Sequence, residues 1–523
     1  PGESGAGIVT GSWSGSTSLE ANLNESLTPG ETVFSFLRDI DGTLNVNGYF
    51  PFPEQNATTT VPVVVFNPSV DNRPASCADG TKPNGVTIFQ HGITVDRSVT
   101  MLPAILLAQG ACQAVVAIDQ PLHGLAGATF GRVPGLDPLD ETTLTNTVNA
   151  VLAGIPDVPQ TAPLRASLTA LINADYIGER HFGFTDGGSL TPVAAPIEDI
   201  SSGSLFINPL NMQNSRDNLR QGVVDLLNLA ASIQVLDIDG DFNTQGDLAG
   251  VPVNFIGHSL GGISGTTFAS LANDATLNAT LNGMYAQSSQ LSSFSFPTLS
   301  SVVLHNTSGQ VTRLIENSPA FSGVVLGGLA AAGVTQGSSD FESFFYVFQS
   351  IVDAGDPVNF AKGLGESTGN ILITEVTGDT TVPNEANINP LGSAFSAPLT
   401  GTEPLMALID LGAGGTNLAD GNDLGIIDSD TPTGGAMPVA TFFDGTNPCA
   451  NANHGTFVAP IVPNENCPGG VADTAVAFDA MVTQTAQALS GQAIPGSAVP
   501  SIGASLGASL TIENALDQDQ MVP

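Results

Sequence analysis

The sequence predicts an α/β fold, a mostly parallel sheet flanked by helices, on three observations. Apolar runs of strand type recur at Val86-Thr87-Ile88-Phe89-Gln90, Ala114-Val115-Val116-Ala117-Ile118, Val253-Asn254-Phe255-Ile256 and Ile371-Leu372-Ile373-Thr374-Glu375-Val376. Helix-type spacing lies between several of them, over residues 100–109 and from Asn214 onward. That rhythm builds parallel sheets, because parallel neighbours need a crossover long enough to hold a helix. The third observation is a sharp turn, Gly257-His258-Ser259-Leu260-Gly261. It joins an apolar strand to small residues that can open a helix packed on the sheet.

Taken in order, residues 1–75 are rich in Gly, Ser, Thr and Asn, with strand-like runs such as Thr60-Val61-Pro62-Val63-Val64-Val65-Phe66. They read as a β-rich N-terminal segment with little helix. Residues 76–490 read as the main domain, broken by two irregular insertions at about 125–213 and 273–362, the first with a helix near 164–174. From Asn214, the residues Leu219, Val223, Leu226, Leu227 and Ala230 share one helix face, and Asn214 or Ser215 is the expected cap. A last helix is expected over 474–489, followed by a small-residue tail at 491–523.

The turn at Ser259 has the setting of a nucleophile elbow: strand, Gly-x-Ser-x-Gly, helix. Two other matches lack it. Gly365-Glu366-Ser367-Thr368-Gly369 precedes a strand instead of following one, and Gly503-Ala504-Ser505-Leu506-Gly507 has no histidine after it. A serine nucleophile needs a base, an acid to orient that base, and N–H donors for the oxyanion. On such a fold the partners follow in the order serine, acid, histidine. Only His305 and His454 lie downstream. His305 directly follows Val302-Val303-Leu304 and reads as a strand-end histidine, which leaves His454 as the base. Asp379 follows the strand ending at Val376 and is the expected acid, an Asx-turn being its alternative role. Glu375 sits inside that strand, and Asp353 and Asp356 precede it. The oxyanion donors are expected from Leu260, after the nucleophile, and from Ile93 or Gly92 after Phe89-Gln90-His91.

Forty-nine acidic residues against eleven basic ones give a net charge of −38, with Lys82 and Lys362 the only lysines. Phosphate binding needs Lys and Arg patches, so nucleic acid is excluded as a partner. No apolar run reaches membrane-spanning length. Pro1 is followed by neither a basic nor an apolar stretch, so a mature or trimmed form is expected. Four cysteines allow three connectivities, and four free thiols are the alternative. Nearest-neighbour pairing, Cys77 with Cys112 and Cys449 with Cys467, would brace the first core strands and the loop carrying His454. An even count on an acidic, lysine-poor chain points to an oxidising compartment outside the cell. Asp237, Asp239, Asp241, Asn243 and Asp247 alternate as calcium ligands do, but Phe242 occupies the position where an EF-hand needs glycine. A polar hairpin is the simpler reading there.

These residues resemble the α/β-hydrolase superfamily. More narrowly, the chain is similar to bacterial extracellular lipases and phospholipases with a virulence-factor-lipase N-terminal region. That likeness rests on Phe89-Gln90-His91-Gly92-Ile93, Asp119-Gln120-Pro121-Leu122-His123-Gly124, Gly257-His258-Ser259-Leu260-Gly261-Gly262, Phe348-Gln349-Ser350-Ile351-Val352-Asp353 with Asp356-Pro357-Val358-Asn359, and Asn453-His454-Gly455. The resemblance implies a secreted or surface-anchored hydrolase of lipid acyl esters, with Ser259, Asp379 and His454 as triad and no required cofactor. It also implies transient contact with a lipid surface, and a cap built from the insertions. Phe294, Phe296, Phe321, Phe341, Phe344, Phe345 and Phe348 are there to line an acyl groove or to form the core of the cap. The alternatives are an esterase for short or polymeric esters with the same triad, and a noncatalytic binding protein on this scaffold.

Overall fold

In a computed structural model, the residues described are 6–124, 201–386, 397–413 and 437–495 with short gaps, plus isolated positions and two short strands elsewhere. The described strands are β1 (Ala6–Gly15), β2 (Pro53–Phe66), β3 (Gly85–Gln90), β4 (Gln113–Ile118), β5 (Val253–His258), β6 (Leu299–His305), β7 (Ile371–Val376), β8 (Gly425–Ile427), β9 (Gly434–Gly435), β10 (Val439–Phe443) and β11 (Ile494–Pro495). The described helices are α1 (Thr17–Leu27), α2 (Met101–Gly110), α3 (Met212–Ser232), α4 (Leu260–Ala272), α5 (Ala275–Gln287), α6 (Val311–Asn317), α7 (Ser322–Ala331), α8 (Ser339–Val352), α9 (Ala361–Ser367), α10 (Thr402–Ala413) and α11 (Val471–Leu489).

Nine strands form one sheet in the order β1-β2-β4-β3-β5-β6-β7-β10-β8, and β9 pairs with β11 apart from it. From β4 to β8 every pairing is parallel; β2 joins β4, and β1 joins β2, in antiparallel fashion. The parallel strands read as continuous apolar runs because both of their faces are covered. Alternation along each strand divides the core. Ile88, Val116, Phe255, Val302 and Ile373 face one layer, where α3, α4, α9 and α10 pack. Phe89, Val115, Ile256, Val303 and Leu372 face the other, against α2 and α11. Each fully buried phenylalanine or leucine in these layers contributes roughly 1.5–3 kcal/mol of transfer free energy.

The chain passes from β3 to β4 on one side, then returns to place β5 on the other side of β3. That reversal leaves a crevice at the carboxyl ends of β3 and β5, where open α/β sheets bind their ligands.

Several expectations are corrected. The N-terminal segment does hold a helix, α1, capped by Ser16, whose side chain accepts from Leu19 N–H. Its strands β1 and β2 extend the main sheet. The block 273–362 is not irregular: it supplies β6, a central strand, and helices α5 to α8. Ser300 and Ser301 interrupt the apolar run of β6, so only its second half, Val302-Val303-Leu304, reads as strand in the sequence. Helix α3 begins earlier than expected, with Asn211 as its cap, because the Asn211 side chain accepts from Asn214 N–H. Both nearest-neighbour disulfides are formed, Cys77–Cys112 and Cys449–Cys467. The expected helix near 164–174 and the tail beyond residue 495 lie outside the described residues, apart from Arg165. No described helix is long and apolar enough to cross a membrane.

Candidate active site

Strand β5 delivers Ser259 to the crevice, and α4 leaves it immediately. Ser259 lies at φ 56°, ψ −123°, a left-handed conformation that costs a serine about 1–3 kcal/mol unless its surroundings enforce it. They do. Ser259 N–H donates to the His305 carbonyl at 2.9 Å, and the Ser259 carbonyl accepts from Gly262 N–H at 2.8 Å. A Cβ on Gly257 would lie 2.6 Å from the Gly261 carbonyl oxygen, and one on Gly261 only 2.0 Å from the Gln90 carbonyl oxygen. The glycines therefore let β3, β5 and α4 meet at backbone contact. This is an α/β-hydrolase fold.

A glycine-to-alanine change inside a helix ordinarily stabilises by up to about 1 kcal/mol. Here the added methyl forces α4 away from β3, so Gly261→Ala is expected to destabilise by about 3 kcal/mol or more, read as a lower urea midpoint. A midpoint that stayed put or rose would refute the close approach.

Asp379 stands on the turn after β7 and is 7% exposed. One carboxylate oxygen accepts from Thr381 N–H at 2.8 Å and Val382 N–H at 3.2 Å, the Asx-turn geometry. The other lies 2.6 Å from His454 Nδ1. The two readings of this aspartate are thus compatible, one on each oxygen. His454 rides on a loop braced from several sides. Asn453 N–H donates to Thr456 Oγ1 at 2.7 Å, and Phe457 stacks on the His305 ring at 3.7 Å. The His454 carbonyl receives His258 Nε2 at 2.7 Å and Asn306 Nδ2 at 2.9 Å. So the histidine-bearing loop is joined to the residue next to Ser259.

The loop after β3 closes over the serine. A Cβ on Gly92 would stand 3.0 Å from Ser259 Cβ and 3.3 Å from its Oγ. Gly92 thus borders Ser259, with Ile93 next to it in the chain, and Leu260 contributes the first N–H of α4, one of the donors a helix start leaves without an intrahelical acceptor. Thr94, a β-branched residue two positions after Gly92, takes φ 66°, a second strained backbone in this region. His91 shapes this loop from behind. Its Nε2 accepts from Gln120 N–H at 3.2 Å, so its Nδ1 carries the proton and donates to the Gly92 carbonyl at 2.7 Å. Gln120 in turn donates to the His91 carbonyl at 2.7 Å and accepts from Ser264 on α4 at 3.1 Å. Buried Asp119 accepts from Arg97, through its backbone N–H and its guanidinium.

The other expected residues have structural places. His305 is buried between Thr374 Oγ1 at 2.6 Å and Thr485 Oγ1 at 3.2 Å. Glu375 is buried within β7. Buried Asp356 accepts from Gln310, Val311 and Val358 N–H groups and from Gln349, so that motif ties α6 to α8. Phe341, Phe345 and Phe348 are fully buried, and Phe296 is nearly so; they pack the core and line no open groove. Of the acidic loop, Asp247 accepts from Ile238 N–H at 2.6 Å, while Asp237, Asp239, Asp241 and Asn243 lie outside the described residues. Among the described residues no cluster of three His, Cys, Asp or Glu is placed to hold a metal. A cavity of about 590 Å³, lined by Asn84, Gln113, Pro252, Ser300 and Asn370, opens at the amino ends of the strands, away from Ser259.

Sequence reasoning missed His258 and Asn306. His258 occupies a variable position of the Gly-x-Ser-x-Gly pattern, and Asn306 carries no local signal at all.

Burial lowers the pKa values of four histidines: His91 to about 4, His258 to about 3, and His123 and His305 well below the usual value. Their folded values lie below the unfolded one of about 6.5, so the unfolded chain takes up more protons as pH falls below that point. The stability they contribute is complete above pH 6.5 and is lost towards the folded values. Each histidine accounts for about 1.4 kcal/mol per pH unit in that window. Asp356, whose carboxyl pKa burial raises, works in the opposite direction, one group against four. The expected outcome is a fall of several kcal/mol in unfolding free energy between about pH 6.5 and pH 5.5 at fixed ionic strength. Urea titration at both values checks it. The window is informative because relief of the −38 charge by carboxylate protonation would raise stability instead.

No family model matches the sequence, and no curated protein matches it. Among solved structures, the chain is similar to an enol-lactonase from Burkholderia xenovorans LB400, at 12% identity over 67% of this chain and 85% of that one, with a TM-score of 0.24. It is similar to a highly thermostable carboxyl esterase from Bacillus coagulans at 10% identity, over 68% and 83% of the two chains, with a TM-score of 0.26. A hyperthermophilic esterase from the archaeon Pyrobaculum calidifontis is similar at 11% identity, over 82% and 79%, with a TM-score of 0.31. Likeness this slight carries no argument about function. The α/β-hydrolase fold rests on the strand order and the elbow.

Proposed function

We propose that this protein is an exported serine hydrolase of carboxylic esters, acting on lipid acyl esters such as triacylglycerols or (lyso)phospholipids. The observation that carries the reading is the 2.6 Å contact of His454 Nδ1 with Asp379, on a loop tied to the residue beside a strained Ser259. With Nδ1 donating to the carboxylate, His454 Nε2 is left to accept the Ser259 proton. Ser259 Oγ then attacks the ester carbonyl, and the N–H groups of Leu260 and of Ile93 or Gly92 hold the oxyanion. His454 returns the proton to the departing alkoxide, leaving an acyl-enzyme. Water, activated by the same histidine, releases the acid. The sequence of steps draws on no cofactor.

Two disulfides favour an oxidising compartment and hence export. The lipid reading draws support from an uncharged, largely exposed α7, whose Val324 is 81% exposed, in a chain otherwise dominated by acidic groups. The short-chain alternative draws support from the buried phenylalanines of α8, which are unavailable to line an acyl groove. Hydrolysis of p-nitrophenyl esters from acetate to palmitate separates the two. Rates rising towards long chains are expected; a fall-off beyond butyrate would leave a short-chain esterase. No turnover of any ester would favour a binding protein.

A further inference from the structure

We propose that His258 and Asn306 are positioning residues for the base, holding His454 in line by a shared grip on its main-chain carbonyl. The inference rests on the reading of Ser259 as nucleophile and His454 as base. His258 Nε2 lies 2.7 Å from the His454 carbonyl oxygen, and Asn306 Nδ2 donates to the same oxygen at 2.9 Å. The donors stand at the ends of two adjacent parallel strands, β5 and β6. Their own positions are secured: Ser259 N–H donates to the His305 carbonyl at 2.9 Å, and Asn306 N–H to the Thr374 carbonyl at 3.0 Å. Asn306 takes φ 49°, a conformation that asparagine tolerates better than most residues.

The arrangement has a chemical logic. Asp379 sets the rotation of the imidazole, but it does not fix the backbone that carries the ring. The two donors do, and they belong to the strands that present the nucleophile. The distance between Ser259 and His454 is thereby set by hydrogen bonds between neighbouring strand ends and not by the reach of a long loop.

His258 suits this place because it stays neutral. It is buried, and burial lowers its pKa to about 3, so it carries a single ring N–H. A carbonyl acceptor requires that N–H on Nε2. Nδ1 is then a bare lone pair, in keeping with its lack of a hydrogen-bond partner among the described residues. The His258 ring lies 5.1 Å from the His454 ring. A charged group there would oppose the imidazolium that His454 becomes during the reaction, and a neutral donor does not.

The test reads nucleophilicity without knowledge of the natural substrate. A fluorophosphonate forms a bond from phosphorus to Ser259 Oγ, fluoride leaves with the P–F electrons, and the serine proton passes to His454. Labelling rates are followed by intact mass for wild type, His258→Leu, His258→Gln and Asn306→Asp. His258→Leu and Asn306→Asp are each expected to label at least about tenfold more slowly, the scale set by small misplacement of a catalytic group. His258→Gln, whose amide N–H has a similar reach, is expected to recover most of the rate. A merely structural role would make Gln and Leu equally slow, which overturns the proposal, as would unchanged labelling in both His258→Leu and Asn306→Asp. If His258→Leu fails to fold, near-isosteric Asn306→Asp decides alone. Absence of labelling in the wild type overturns the hydrolase reading itself, and the grip with it.

Discussion

Replacing Ser259 by alanine is expected to lower ester turnover by about 10⁴- to 10⁶-fold while leaving the fold and substrate affinity close to wild type. The side chain is small, so its removal opens no large cavity. Alanine at φ 56° keeps about the same backbone strain that serine bears. The loss is therefore chemical. Without Oγ no acyl-enzyme forms, and what remains is oxyanion stabilisation and orientation of bound ester. Steady-state rates on the best p-nitrophenyl ester, with circular dichroism as a fold control, measure it. A variant that kept a tenth of the activity would move the nucleophile elsewhere.

Asp379→Asn is expected to cost about 10⁴-fold in kcat with the fold retained, and the reason can be traced atom by atom. Thr381 and Val382 N–H groups already occupy one oxygen of Asp379, so the asparagine carbonyl must take that place. Its NH₂ group then faces His454 Nδ1. Two donors cannot share that contact, so Nδ1 becomes the acceptor and the ring proton moves to Nε2, the atom that should receive the serine proton. The histidine remains in position in the wrong tautomer. Comparison of kcat and KM near neutral pH tests this; an unchanged kcat would show that Asp379 serves only its turn.

Much of this site was legible because its signals are local. A glycine pair around a serine, after an apolar strand and before small residues, has few structural meanings. Chain order then left His454 as the downstream histidine outside a strand. Asp379 could be proposed because it closely follows the strand Ile371–Val376, which opens on the apolar run Ile371-Leu372-Ile373. Where the local signal was mixed, reading failed. Strand β6 carries two serines and was taken for part of an insertion. The phenylalanines of α8 read equally as groove lining or as core, and their burial decides for core. Residues Asn214 and Ser215 both have capping chemistry, and only the backbone geometry showed that Asn211 does the capping.

The sequence alone determined the α/β class, the strand-turn-helix at Ser259 and the ordered set of chemical groups, since each follows from neighbours within a few residues. Tertiary structure alone decided that the first two strands extend the main sheet, that Asp379 divides its oxygens between a turn and His454, and that His258 and Asn306 meet on one carbonyl. These contacts join residues 75, 196 and 148 positions apart in the chain. No local pattern encodes such pairings, because they arise only when the parallel strands set their carboxyl ends side by side.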